Sequence, residues 1–479
     1  MNIIKGFFTL CFLLTALISQ AKDGYTIKLK VEDAKDSMVY LCHYYGKGTM
    51  KVFKDDSAYL SNKGELTFKS TEKIAGGLYM ILFKDQSANF EIILNNGDNF
   101  SIQVKKGDIY NSAKFVGESE NAAFYEYQKF LTTYGTEYQK IEKKLLIAKT
   151  KTDSTTINDQ LREKGKELLA YRNNIKTKYP NYFLSKLFSA ITEPDIPTEL
   201  PTLPNGLKDS LYPRNYYKQH YWDGYDFQDD RLIYSPIYER KLDDYLNKLV
   251  APTPDSVQVE IDDLLKKTAG TEHQYKYTMW YLTRWTDVSK IMGMDKAFVY
   301  IVENYYNKGK AQWEDSAQLV KYKQAAQDFK YSLIGNPAIE LKMQDMNSDK
   351  IVPLSSVDAD YTLVIFWDPD CGHCKKEIPQ FDSLYHAALK KYNVKIYGVN
   401  TEQEPEKWKK FVDEHHLNEG WIHVHDPNRT TYFRSFYNVK ATPTLYLLDR
   451  KKVIRGKRLD HTNIVGLIEW LEKKNNETK

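Results

Sequence analysis

Cys371-Gly372-His373-Cys374 stands between a stretch that reads as a fully buried strand and a stretch that opens a helix. Leu363-Val364-Ile365-Phe366-Trp367 is continuously apolar, whereas Lys375-Lys376-Glu377-Ile378-Pro379 begins an amphipathic run. The two thiols therefore fall where a strand hands over to a helix. Backbone N–H groups of a first helical turn point at the leading sulfur and the helix dipole adds positive potential, so Cys371 is expected as the nucleophilic thiolate. Cys374 is then the resolving thiol.

The same spacing occurs in zinc sites, but a structural zinc needs about four ligands and draws on a second cysteine pair or a Cys/His group. The sequence has no second pair, and His415, His416, His423 and His425 would have to serve without a thiol. Redox chemistry is expected here, with no metal and no cofactor. His423 and His425, two apart in Trp421-Ile422-His423-Val424-His425, are expected on an exposed strand face.

From about Asn336 to the C-terminus the chain resembles the TlpA-type thioredoxin-fold domains, the exported thiol-disulfide oxidoreductases of the bacterial cell envelope. The elements that carry the likeness are Phe366-Trp367 before the dithiol, Glu377 and Pro379 after it, and Thr442-Pro443 further on. The resemblance implies a Cys371–Cys374 disulfide in the oxidised state and a proton-carrying role for Glu377. It also implies that Thr442, a cis Pro443 and Trp367 meet the substrate, the loop offering backbone groups to an extended client strand. Ile365 stands where classical thioredoxins bury an acid, which leaves Glu377 as the proton acceptor for Cys374. Asp368 and Asp370 oppose the Cys371 thiolate. Gly372-His373 is the dipeptide of protein disulfide isomerase and shifts the couple toward oxidation.

The implied activity is reduction of protein disulfides, with disulfide-bearing clients and a membrane thiol electron donor as partners. Oxidation or isomerisation is the alternative within the class. From another class, the dithiol would serve an envelope client-binding or redox-sensing protein.

Residues 1–21 read as a secretory signal peptide, with Lys5, an apolar core from Phe7 to Ile18 and a Ser19-Gln20-Ala21 cleavage site. Export to the periplasm or cell envelope is expected. No later window reaches the roughly eighteen apolar residues of a membrane-spanning helix. Cys11 lies in the leader, so the mature chain keeps Cys42, Cys371 and Cys374 and has no framework of structural disulfides. Cys42 lies in an apolar strand-like run and is expected as a buried small residue, the sharper alternative being a regulatory partner for the dithiol. A formal net charge of +4 on 479 residues creates no basic field that would argue for nucleic acid. The sequence does not disclose the oligomeric state.

The texture changes twice along the chain, giving a multidomain α+β protein. Residues 22–118 alternate with period two and carry Asn/Gly turns, as an antiparallel β-sandwich would. They resemble the N-terminal β domain of unknown function that accompanies exported thioredoxins in Bacteroidetes, notably at Gly76-Gly77-Leu78-Tyr79 and Asn96-Gly97-Asp98. Residues 119–335 turn helical, opening with a hairpin through Phe124 to Leu145 and Ile157 to Ile175. Aromatics further on, including Trp280, Trp285, Tyr300 and Tyr305, are expected as core. Residues 336–479 form the thioredoxin-like α/β domain.

Overall fold

Alternation builds the first strand. In β1 (Tyr25–Val31) the side chains of Tyr25, Ile27, Leu29 and Val31 are buried and those between them are not. The computed structural model describes residues 23–46, 52–402 and 404–477, so the expected leader at 1–21 lies outside the described residues. The chain divides into two compact units: residues 1–245 with 270–274, and residues 246–269 with 275–479. The helical segment from 119 to 335 is thus shared between the units.

In the first unit seven further strands follow: β2 (Met38–Tyr44), β3 (Val52–Tyr59), β4 (Glu65–Ser70), β5 (Gly77–Phe83), β6 (Asn89–Leu94), β7 (Asn99–Val104) and β8 (Lys114–Glu118). They form two four-stranded sheets in the orders β4-β1-β7-β8 and β3-β2-β5-β6. Pairing is antiparallel except between β1 and β7, which run parallel. A parallel pair needs a long connection, and here the second sheet is threaded through it.

Helix α1 (Asn121–Ile147) leaves this sandwich through Asn121. The Ile93 N–H donates to Asn121 Oδ1 at 2.8 Å, and Asn121 Nδ2 donates to the Ile93 carbonyl at 2.7 Å. Thr150 caps α2 (Lys151–Lys178) by accepting from the Asp153 N–H. Phe130 stacks on Tyr171 across this hairpin with centroids 4.1 Å apart.

In the second unit the helices Pro254–Lys267, Asp295–Ile301 and α3 (Ser316–Lys330) precede a seven-stranded sheet. Its strands are β9 (Lys342–Asp345), β10 (Ile351–Pro353), β11 (Tyr361–Trp367), β12 (Val394–Asn400), β13 (Trp421–His425), β14 (Thr444–Asp449) and β15 (Ile454–Lys457). The order is β10-β9-β13-β12-β11-β14-β15, with β11 parallel to β12 and antiparallel to β14.

Every residue of β11 is buried because both faces of the sheet are covered. Leu363, Ile365 and Trp367 pack with Ile378 and Phe381 of α4 (Gly372–Leu384) and with Ile464 and Ile468 of α6 (Ile464–Glu477), while α5 (Pro405–Glu414) adds Trp408 and Phe411 to the same side. Val364 and Phe366 face the other way, toward Val399, Tyr437 and Tyr446. The same double covering corrects the expectation for β13. His423 is buried, with Nε2 2.6 Å from the Leu417 carbonyl, and His425 is half-buried, because Trp408 of α5 covers the face they share, its ring centroid 6.4 Å from that of His423 and 5.3 Å from that of His425.

One buried ion pair ties this sheet to the preceding helices. Lys457 Nζ pairs with Asp295 Oδ2 and donates to the Ser332 carbonyl at 2.8 Å, with the Lys457 and Asp295 side chains 5% and 2% exposed. Two charges removed from water persist only when paired and hydrogen-bonded.

Candidate functional site

The carbonyl end of β11 sets the position of the dithiol. Thr401 holds that end by donating twice to the Trp367 carbonyl, from N–H at 3.0 Å and from Oγ1 at 3.2 Å. The chain then turns through Asp368 to Asp370, and the Cys371 N–H donates to the Asp368 carbonyl at 3.2 Å. Cys371 is the N-cap residue of α4, in an extended conformation, and its carbonyl accepts from the Lys375 N–H at 3.0 Å. Its sulfur therefore faces the unpaired N–H groups of the first helical turn.

Burial separates the two thiols. Cys371 is partly exposed, whereas Cys374, one turn into α4, is fully buried against the sheet. Both are free thiols. Burial raises the Cys371 pKa, but bonds from the Thr442 side chain and from the Cys374 and His373 backbones outweigh it, and the net result lies below the ordinary 9.0. Cys374 is pushed up to about 12, chiefly by burial, with the neighbouring Cys371 adding to the rise.

Thr442 presents two groups to Cys371 with opposite preferences. Its carbonyl accepts from the Cys371 thiol at 3.2 Å, whereas its side chain lowers the thiol pKa. A carbonyl can bond only the protonated sulfur, so the hydroxyl is the group that favours the thiolate. The Thr442–Pro443 peptide is cis. Asp370, expected to oppose the thiolate, is engaged elsewhere: Lys407 Nζ lies 3.0 Å from its carboxylate and Lys375 Nζ 4.0 Å, and Lys407 holds its pKa below the ordinary range.

Residues 334–457 match the AhpC/TSA family. The C-terminal domain is an AhpC/TSA thioredoxin-fold domain. Residues 25–124 match a domain of unknown function (DUF4369) and residues 138–332 another (DUF5106). The chain is similar to the sporulation thiol-disulfide oxidoreductase A of Bacillus subtilis (strain 168), 28% identical over 116 residues that cover 23% of this chain and 67% of that protein. A thioredoxin-like protein from Bacteroides caccae aligns at 22% identity over 57% of this chain and 99% of its own, with a TM-score of 0.44. A domain of a possible thiol-disulfide isomerase from Cytophaga hutchinsonii aligns at 35% identity over 31% of this chain and 97% of its own, with a TM-score of 0.29.

Within the AhpC/TSA domain Cys371, Cys374 and Thr442 come together. Gly372 and His373 are exposed on the first turn of α4, and Pro443 follows Thr442 directly. Glu377 lies one turn beyond Cys374, and its carboxylate sits 2.8 Å from His461 Nδ1. Trp367 departs from expectation: it is fully buried, its ring packs on Phe411 with centroids 5.2 Å apart, and it supports the dithiol from behind instead of meeting a substrate. The reason is strand parity, which aims Trp367 into the core with Leu363 and Ile365. Reading by sequence missed His461 and Lys407, whose roles depend on neighbours distant in the chain. Cys42 is buried in β2, its thiol pushed up to about 11 first by burial and then by Asp55.

Proposed function

We propose that this chain is a thiol-disulfide oxidoreductase that acts on disulfides of other proteins, chiefly as a reductase, after export to the periplasm or cell envelope. The reading rests on one observation above others: the partly exposed Cys371 caps the start of α4 while Cys374, one turn on, is fully buried, and burial pushes the Cys374 pKa up to about 12 whereas that of Cys371 lies below the ordinary 9.0. An accessible thiolate attacks; a buried neighbouring thiol resolves. The similarity to a thiol-disulfide oxidoreductase supports the same class of chemistry.

In the first step the Cys371 thiolate attacks one sulfur of a client disulfide, forming a Cys371–client disulfide and releasing the other client sulfur as a thiolate. Cys374 then gives its proton to Glu377 and attacks the Cys371 sulfur. The mixed disulfide breaks, the Cys371–Cys374 disulfide forms, and the second client thiolate leaves. Both client thiolates take up protons, so two electrons pass from the protein dithiol to the client. A membrane thiol donor of the envelope returns the protein to its reduced state. The Thr442–Pro443 loop, next to the attacking sulfur, receives the client backbone.

Reduction of insulin by dithiothreitol tests this reading. The full-length protein is expected to accelerate it and Cys371→Ser to abolish the acceleration. A rate equal to that of dithiothreitol alone would reject turnover and leave a binding or sensing protein.

A further inference from the structure

Beside the Thr442–Pro443 loop lies an open cavity of about 500 Å³. The loop contributes Lys440 and Pro443 to its lining, β14 and β15 contribute Tyr446 and Lys457, Arg458 follows β15, and Phe329 of α3 closes one wall. Phe329 belongs to the segment matched to the domain of unknown function at 138–332. Cations line this cavity, and among the described residues no carboxylate does.

The balance of charge there is positive. Lys457 is neutralised by the buried Asp295. Arg458 is exposed, and its Nη1 donates to the neutral Ser289 carbonyl at 2.7 Å. Lys440, with a side chain 65% exposed, has Asp328 of α3 at 3.9 Å, and Asp328 also accepts from Gln324 at 2.8 Å. The Lys440 ammonium also lies 5.8 Å from the centre of the Phe329 ring. Lys440 and Arg458 thus line the cavity beside apolar surface from Phe329 and Pro443, and the carboxylate paired with Lys440, Asp328, lies 3.9 Å from it and outside the lining.

We propose that this cavity receives the extended client segment that flanks the cysteine attacked by Cys371, and that it selects segments with an acidic side chain near that cysteine. The inference rests on the thiol-exchange reading above. Thr442 touches the Cys371 sulfur and Lys440 is two residues away, so an extended client reaches Lys440 with a side chain about two or three residues from its cysteine. The helical segment before the AhpC/TSA domain thereby forms part of the client site, with α3 supplying Phe329 as a wall and Asp328 as the group that moderates Lys440.

The test uses full-length protein carrying Cys374→Ser, so that reaction stops at the mixed disulfide. The probes are two synthetic peptides with a single cysteine activated as a thiopyridyl disulfide, identical except for Asp or Lys two residues from it. Each rate of thiopyridone release is divided by the rate with dipyridyl disulfide, a neutral molecule too small to reach Lys440, which removes any change in the thiolate itself. The Asp peptide is expected to react about fivefold faster than the Lys peptide at low ionic strength, the advantage shrinking in salt. Lys440→Glu should lower that ratio about fivefold and Asp328→Asn should raise it about twofold. Equal rates for the two peptides, or a ratio unmoved by both substitutions, would overturn the proposal. If Cys371 fails to react even with dipyridyl disulfide, the thiol-exchange reading falls and the client cavity with it; reaction with dipyridyl disulfide but no peptide preference overturns the cavity alone.

Discussion

His461 Nδ1 lies 2.8 Å from the Glu377 carboxylate, although 84 residues separate them in the chain. Glu377 sits on the turn of α4 that follows Cys374 and His461 in the turn before α6, and their side chains are 27% and 33% exposed. Glu377 is therefore oriented by a partner instead of free to sweep through solvent; in the cycle proposed above, a proton acceptor held at one place needs less reorganisation when the Cys374 proton moves.

Glu377→Gln is expected to slow resolution of the mixed disulfide by about a hundredfold, the low end of general acid–base effects, and to affect the attack step much less. Single-turnover measurement of the two steps with a disulfide-linked peptide checks this. Equal resolution rates for wild type and variant would remove Glu377 from the mechanism.

Cys374 makes the reduced protein sensitive to alkali. Its folded pKa is raised from 9.0 to about 12, so its share of stability is complete below 9.0 and is lost as pH rises from there toward 12. Denaturant unfolding of the reduced wild type, minus that of Cys374→Ser, should decline across this window. A flat difference would contradict the burial assigned to this thiol.

Asp295→Ala strands the Lys457 ammonium in a buried place, and burial already lowers the Lys457 pKa. The expected loss is about 3–5 kcal/mol in denaturant unfolding, with most of it recovered when Lys457→Met is added, because an apolar pair of similar volume has no charge to desolvate. A double variant no more stable than Asp295→Ala would reject the unpaired charge as the cause.

The dithiol, the strand before it and the helix after it are legible in sequence because each rests on local pattern: an apolar run, a C-x-x-C spacing and an amphipathic run. Thr442 and Pro443 became legible only through likeness to a known domain. His461 was invisible because its meaning comes from Glu377, and nothing near position 461 signals that contact. Lys457 and Asp295, 162 residues apart, look in sequence like two ordinary surface charges, and only the fold removes them from water. Alternation in β1 and β7 showed which faces are buried, yet a period of two carries no strand direction, so their parallel pairing was hidden. Trp367 differs for a related reason: the resemblance implies a substrate contact, whereas strand parity places the ring in the core.

In the proposed cycle Cys371 attacks and Cys374 waits. The most direct test of that order is the rate of iodoacetamide alkylation of each cysteine as a function of pH, read by mass spectrometry of the reduced full-length protein. Cys371 is expected to be modified first, with a midpoint below the 9.0 of an ordinary cysteine, and Cys374 to resist until the pH approaches about 12 or the protein unfolds. Earlier modification of Cys374, or a Cys371 midpoint at or above 9.0, would contradict the account.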